Sequence, residues 1–252
     1  MYNYKLTIAY DGARYSGWQK NKNAKDTIQS KLEAVIKEVV GEEVNLIGSG
    51  RTDKGVHAAM QIANFHCNGR QKSSGLKYQL NALLPEDIVV QAVNKVDESF
   101  HSRFSAKSKT YRYTIWKANC EILPLFERKF VFHLEEQVDA DLMLAAAQKF
   151  VGEHDFKGFS SDKTKKSTVR TINRVDVIEE DDYIEIEVEG NGFLYNMVRI
   201  MVGTLIEIGQ ETRHDNSIDE VFESKKREFA GVTVPAKGLS LVDVTYADKE
   251  VK

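Results

Sequence analysis

The chain predicts an α+β fold of two ferredoxin-like βαββαβ halves, because one order of elements occurs twice. Three observations carry that expectation. Apolar residues alternate with period two in some segments and recur at helical spacing in others, so both element types are present. The order strand, helix, strand, strand, helix, strand is the same before and after a join near residues 100–109. Only three prolines and no low-complexity linker interrupt the sequence, so the halves are expected to pack rigidly. The expected architecture is two antiparallel sheets joined edge to edge, helices on one side and a central cleft. The expected halves are 1–105 and 106–252.

In the first half, Tyr4, Leu6, Ile8 and Tyr10 share one face of a strand. Asp26, with Gln29 three residues on, offers a helix cap, and Ile28, Leu32, Val35, Ile36 and Val39 follow at helical spacing until Gly41. Segments 44–47 and 60–66 read as strands on either side of a glycine-rich loop. Leu76, Leu80 and Leu83 mark a second helix, ended by Pro85, and 88–93 is a strand. In the second half, 111–116 is a strand and 139–151 a helix ended by Gly152. Residues 171–178 and 183–188 form a hairpin over the acidic turn Glu180-Asp181-Asp182. A helix spans 193–208 up to Gly209. A short helix spans 217–223 with a Ser217/Glu220 capping box, and 241–246 closes the chain as a strand.

Composition narrows the class. The 252 residues are 42% hydrophobic and 29% charged, ordinary for a globular protein. The longest apolar stretch, 193–208, contains Asn196, Arg199, Gly203 and Glu207, so no membrane span is expected. The N-terminus runs straight into a strand pattern with no signal-peptide core. Cys67 and Cys120 form no Cys-x-x-Cys pair, and a reducing cytoplasm is the simplest compartment. The six histidines are scattered, so no metal site is expected. A net charge of -3 counts against a nucleic-acid partner unless basic residues gather on one face.

Asp53 is the leading catalytic candidate. It lies between Arg51 and Lys54, in a loop punctuated by Gly48, Gly50 and Gly55. Neighbouring cations favour an ionised carboxylate, and such a group on a tight loop is a nucleophile, a base, or part of a plain surface turn. Two nucleotide-binding motifs fail here. Asp53 stands where the dinucleotide fingerprint needs its third glycine, and Val56 and His57 stand where a P-loop needs Lys and Ser or Thr.

Basic residues cluster twice. Lys157, Lys163, Lys165, Lys166, Arg170 and Arg174 face the single acid Asp162, and Arg103, Lys107, Lys109 and Arg112 interleave with Phe104 and Tyr111. Cations beside aromatics suit a phosphate backbone with an unstacked base; the plain alternative is a solvated face. Arg199 sits in the apolar run Leu194-Tyr195-Asn196-Met197-Val198-Arg199-Ile200. A buried guanidinium needs a carboxylate. Glu207 or Asp176 would make a structural pair, and Asp53 would join the two halves across a cleft.

Seven motifs in order now identify a resemblance. They are Tyr10-Asp11-Gly12-Ala13-Arg14-Tyr15-Ser16-Gly17-Trp18-Gln19, Gly50-Arg51-Thr52-Asp53-Lys54-Gly55-Val56-His57-Ala58, Arg103-Phe104-Ser105-Ala106, Tyr111-Arg112-Tyr113, Gly152-Glu153-His154-Asp155-Phe156, Asn191 to Arg199, and Pro235-Ala236-Lys237-Gly238-Leu239. Together, from residue 4 to 246, they resemble the bacterial tRNA pseudouridine synthase A family. The resemblance implies isomerisation of uridines just 3′ of the anticodon, at positions 38–40 of the tRNA, by a homodimer without metal or organic cofactor. It implies that Asp53 is the catalytic aspartate and that Tyr111 stacks on the target base. It also implies that Arg199 pairs with the aspartate and that Arg51 opens the stem and positions the target. Lys54 departs from the alanine more common after that aspartate and adds positive charge near the site.

The chemistry fits these residue types. Pseudouridine formation breaks the bond from ribose C1′ to the base nitrogen, turns the base and rejoins it through carbon. A carboxylate attacks C1′ as in retaining glycosidases, or takes a ribose proton on a glycal-like route. In both routes the target leaves the stack and is held by stacking, a task for which Tyr111 is suited; Tyr113 is expected to face the core. Two rivals stand beside this reading. A non-catalytic RNA-binding protein fits because the doubled unit resembles RNA-recognition modules. A nucleoside hydrolase would use the same carboxylate but needs a base for its water, and the sequence offers no candidate.

Overall fold

The computed structural model describes residues 1–21, 26–118, 124–162, 164 and 167–247. The chain forms two compact units, one of residues 1–108 with those from 241 onwards, the other of residues 109–240. The first runs β1 (Tyr2–Tyr10), α1 (Ile28–Val40), β2 (Ile47–Gly48), β3 (His57–Cys67), α2 (Ser73–Leu83) and β4 (Ile88–Val96). The second runs β5 (Ala106–Trp116), β6 (Phe132–His133), α3 (Ala140–Ala147), β7 (Gly152–Asp155), β8 (Val169–Glu179), β9 (Tyr183–Gly190), α4 (Met197–Gly209) and α5 (Ser217–Ser224), and β10 (Leu239–Tyr246) follows. The chain crosses from the first unit to the second inside β5, between Ser108 and Lys109. The expected boundary at 105/106 left the closing strand with the second half; from Leu241 onwards it packs with the first.

The first unit has the strand order β4-β1-β3-β10, with β2 on the β3 flank. β1 is antiparallel to both β3 and β4. Its alternate residues Tyr4, Leu6 and Ile8 are fully buried, and Tyr4 stacks at 5.8 Å on its register partner Phe65. α1 contributes Ile28, Leu32 and Ile36 to the core, and α2 contributes Leu76 and Leu80, so the 3.6-residue stripe meets the period-two face. The segment after β4 is tied to the strands by a buried amide network. Asn3 Nδ2 donates to the carbonyls of Asp97 and Phe100, both at 2.9 Å, and Asn64 Oδ1 accepts the Ser102 N–H at 2.8 Å.

The second unit has the order β5-β9-β8-β7, with β6 parallel to the end of β5. Tyr111, Tyr113 and Ile115 lie opposite Val188, Ile186 and Ile184, and this face is buried. Arg112 and Arg174 point to the other face. Arg112 pairs with Glu187 at 2.7 Å and Glu185 at 3.3 Å, and Arg174 with Asp176 and Glu187. Both basic clusters are therefore weaker than a count along the chain suggests. Among the described residues, no helix is long and apolar enough to cross a membrane.

Several boundaries differ from the sequence expectation. The α1 cap is Thr27, whose side chain accepts from Ser30 N while its own N–H donates to Ser30 Oγ; Asp26 pairs with Lys31 instead. The strand expected over 44–47 shrinks to Ile47–Gly48, because only those two residues register with β3. The helix expected to reach residue 151 ends at Ala147 and tightens into a 3-10 turn over 148–150. Ser217 is no cap: the chain already turns at Ser217 N to His214 O, and its hydroxyl is buried without a partner. α4 starts at Met197 rather than 193, because Asn196 is left-handed, φ 61°, and breaks the turn.

Candidate active site

The loop 49–56 carries Asp53, and its main chain is gripped along its length. At its start, Ser49 N donates to Ile62 O at 2.7 Å, Ser49 Oγ donates to Gln61 Oε1 at 2.7 Å, and Gln61 Nε2 donates to Gly50 O at 3.1 Å. In its middle, Trp18 N donates to Thr52 O at 3.0 Å, and Thr52 Oγ1 shares a hydrogen bond of 2.8 Å with the Tyr10 hydroxyl. At its end, Val56 N closes a turn onto Asp53 O at 3.1 Å, and the Gly12 N–H donates to Nδ1 of buried His57 at 3.0 Å. The Asp11 carboxylate also faces this nitrogen, Oδ1 lying 3.3 Å from His57 Nδ1.

Two glycines make this grip possible. A Cβ on Gly12 would fall on the Val56 carbonyl, and one on Gly17 would lie 2.6 Å from Thr52 O, at a φ of +89° that side chains avoid. The segment 12–18 thus lies main chain against main chain on the loop. Thr52 is 5% exposed and Val56 1%, while Asp53 between them is half-exposed. Burial pushes the Tyr10 phenol up to about 12, so it stays neutral beside Thr52. Arg51 is exposed and donates through Nε to Gln19 Oε1 at 3.2 Å; Gln19 in turn donates to Gln29 at 2.6 Å, which ties Arg51 to α1. Lys54 is exposed.

In the second unit, Tyr111 is 7% exposed on the buried face of β5, edge-on to Phe193 with ring centroids 5.1 Å apart. Tyr113 is fully buried, as expected. Its hydroxyl donates to Pro235 O at 2.8 Å, and burial pushes its phenol well above the ordinary range. Arg199 differs from expectation in place and burial: it is in the first turn of α4 and half-buried. Its Nε donates to Val234 O at 2.7 Å and its Nη1 to Asn196 Oδ1 at 2.9 Å. The structural partners considered from sequence are engaged elsewhere, Glu207 with Arg213 at 2.7 Å and Asp176 with Arg174. Lys163, Lys165 and Lys166 lie outside the described residues.

Sequence reasoning missed the residues that brace these groups. Tyr10, Gly12, Gly17 and His57 grip the Asp53 loop, while Asn196 and the Val234 carbonyl hold Arg199. The signal for the first set was the pair of glycines five residues apart after a strand. For Asn196 it was a lone Asn inside an apolar run, a residue type that enters left-handed geometry readily.

The arrangement provides one ionisable carboxylate at the crest of a braced loop, where it can serve as nucleophile or base, and aromatic and guanidinium groups on separate scaffolds. Comparison with known proteins gives the family. Residues 6–105 and 146–247 match the family model described as tRNA pseudouridine synthase. The chain is 47% identical over 247 residues to tRNA pseudouridine synthase A of Acetivibrio thermocellus, covering 98% of this chain and all of that protein. It is 47% identical over the same length and coverage to the enzyme of that name in Bacillus sp. strain KSM-64, and 45% identical to tRNA pseudouridine synthase A 2 of Bacillus cereus. The chain belongs to the tRNA pseudouridine synthase family, and it is an isomerase that acts on uridine in tRNA.

Proposed function

We propose that this chain isomerises uridines at positions 38–40, in the anticodon stem-loop of tRNA, and that Asp53 is the group that acts on the ribose. The observation that carries this reading is the gripped loop, with Asp53 half-exposed between the buried Thr52 and Val56. A carboxylate fixed this way loses little freedom on reaching the transition state. The reaction breaks the C1′–N1 bond and forms C1′–C5; the proton on C5 leaves and N1 gains one, so nothing is added or lost overall. Asp53 starts it by attack on C1′ or by taking a ribose proton, and both routes use the same ionised oxygen.

Tyr111 stacks on the extruded base, with Phe193 setting its ring plane from the edge. Arg51, exposed and oriented by Gln19, opens the stem and places the target. Arg199, held by Asn196 and the Val234 carbonyl, binds the substrate through its charge. The enzyme works in the cytoplasm as a homodimer and needs no metal or organic cofactor. Mapping pseudouridine in tRNA from cells lacking this gene tests the assignment. The expected result is loss confined to positions 38–40, restored by the parent gene and not by Asp53→Ala. Loss elsewhere in the tRNA, or rescue by Asp53→Ala, overturns it.

A further inference from the structure

We infer that the turn 101–105 is a second contact for the tRNA substrate, in which the Phe104 ring is a stacking platform for an unpaired nucleobase. Phe104 is 77% exposed, and its exposure is built rather than incidental. His101 Nδ1 accepts the N–H groups of both Arg103 and Phe104 at 3.2 Å, and Ser105 N donates to His101 O at 2.9 Å, which closes the turn. The turn is pinned to the sheet through Ser102, fully buried, whose N–H reaches Asn64 Oδ1 and whose carbonyl accepts from the Tyr246 hydroxyl at 2.8 Å. A phenylalanine on such a support cannot fold back into the core.

The ring also has the company that a base-binding surface needs. The His101 ring lies against it with centroids 4.3 Å apart at 30°, and 77% exposure leaves most of the remaining ring surface in water. The Arg103 guanidinium carbon is 5.7 Å from the ring centroid, and Lys107 is exposed two residues beyond the turn. The acids nearest along the chain are turned elsewhere, Asp97 to the N–H and hydroxyl of Ser99 and Glu98 to the Met1 amino group. An apolar protein partner would cover the ring but gains nothing from the cations. A polyanion with splayed bases uses both, since each base has a π-face and each phosphate a charge to neutralise. The inference rests on the tRNA substrate and not on the roles given to Asp53, Tyr111 or Arg199.

The test compares Phe104→Ala, Phe104→Leu and Phe104→Trp in binding to unmodified tRNA transcript. Loss of one base stack should weaken binding of the Ala and Leu variants about five- to 150-fold, while the Trp variant binds like the parent. Thermal midpoints should not move, since the ring supports no core. Emission of the Trp variant, corrected with the parent for Trp18 and Trp116, should be quenched as tRNA is added. Parental binding by the Leu variant, or emission unchanged at saturating tRNA, overturns the inference. So does a changed sedimentation coefficient of the free Ala variant with unchanged tRNA binding, which would make a second copy of this chain the occupant.

Discussion

Two regions of this molecule hold a charged group in place, and they do it differently. The loop under Asp53 is held by main chain pressed on main chain at Gly12 and Gly17, where no side chain fits. The turn before Arg199 is centred on a side chain, Asn196, which accepts a left-handed backbone, receives the guanidinium on its oxygen and donates its amide to Ser161 Oγ at 3.1 Å. The first device is rigid by exclusion, so almost any substitution moves the loop. The second is rigid by hydrogen bonding, so backbone geometry and positioning can be separated by choice of residue. In the roles proposed for them, a carboxylate at the reacting centre tolerates less displacement than a guanidinium that binds through its charge, whose field falls off slowly with distance.

Among changes to the residues that brace the two regions, the largest effect should come from Gly12→Ala. Its methyl falls on the Val56 carbonyl, and the loop must shift. Turnover should drop about hundredfold, as for a displacement of about 1 Å at a reacting group, and stability by about 1–3 kcal/mol from overpacking. Gly17→Ala should behave alike. Near-parental single-turnover rates in both would show that the glycines do not set the position of Asp53.

Asn196→Gly should separate the two functions at the other region. Glycine takes φ 61° without strain, so the left-handed turn should be kept, and any drop in melting temperature should be no more than the lost side-chain bonds to Arg199 and Ser161 account for. The guanidinium loses its Asn196 acceptor, and a hydrogen bond to a charged group is worth about 1.5–3 kcal/mol; turnover should fall about tenfold or more. Combining it with Arg199→Lys should add little further loss. Full additivity of the two changes would mean that Asn196 does not act through Arg199.

Tyr10→Phe should be mildest at neutral pH, costing about 1 kcal/mol through the lost bond to Thr52. Its signature is alkaline. Burial pushes the folded phenol up to about 12 from an ordinary value of about 10, so its contribution is complete below pH 10 and is lost as pH rises towards 12. Denaturant titrations across that window should show a shallower decline in the variant than in the parent. Parallel declines would place the Tyr10 phenol in a less buried setting than the fold gives it.

The contrast also shows what a sequence makes legible. Strong local periods were readable: Ile28, Leu32 and Ile36 on α1, or Ile184, Ile186 and Val188 on β9, bury the faces that their spacing implies. The Asp53 loop stood out in the sequence because charge and glycine pattern meet within a few residues. Contacts between distant segments left no local trace. Gly12 lies 44 positions before the carbonyl it meets, and Arg112 and Arg174 looked like free cations until β9 set Glu185 and Glu187 beside them. The start of α4 was misread because Phe193 and Leu194 continue the apolar run, whereas Phe193 turns to Tyr111 and the helix begins only after Asn196.

The most direct test of the central claim is a single-turnover assay of Asp53→Asn, which keeps the shape of the side chain and removes its charge. If, as proposed, phosphate contacts carry tRNA affinity and this carboxylate carries the chemistry, the variant should bind tRNA within about threefold of the parent and form no detectable pseudouridine. Turnover within about tenfold of the parent rate would contradict a role for Asp53 in bond breaking, which is worth many orders of magnitude.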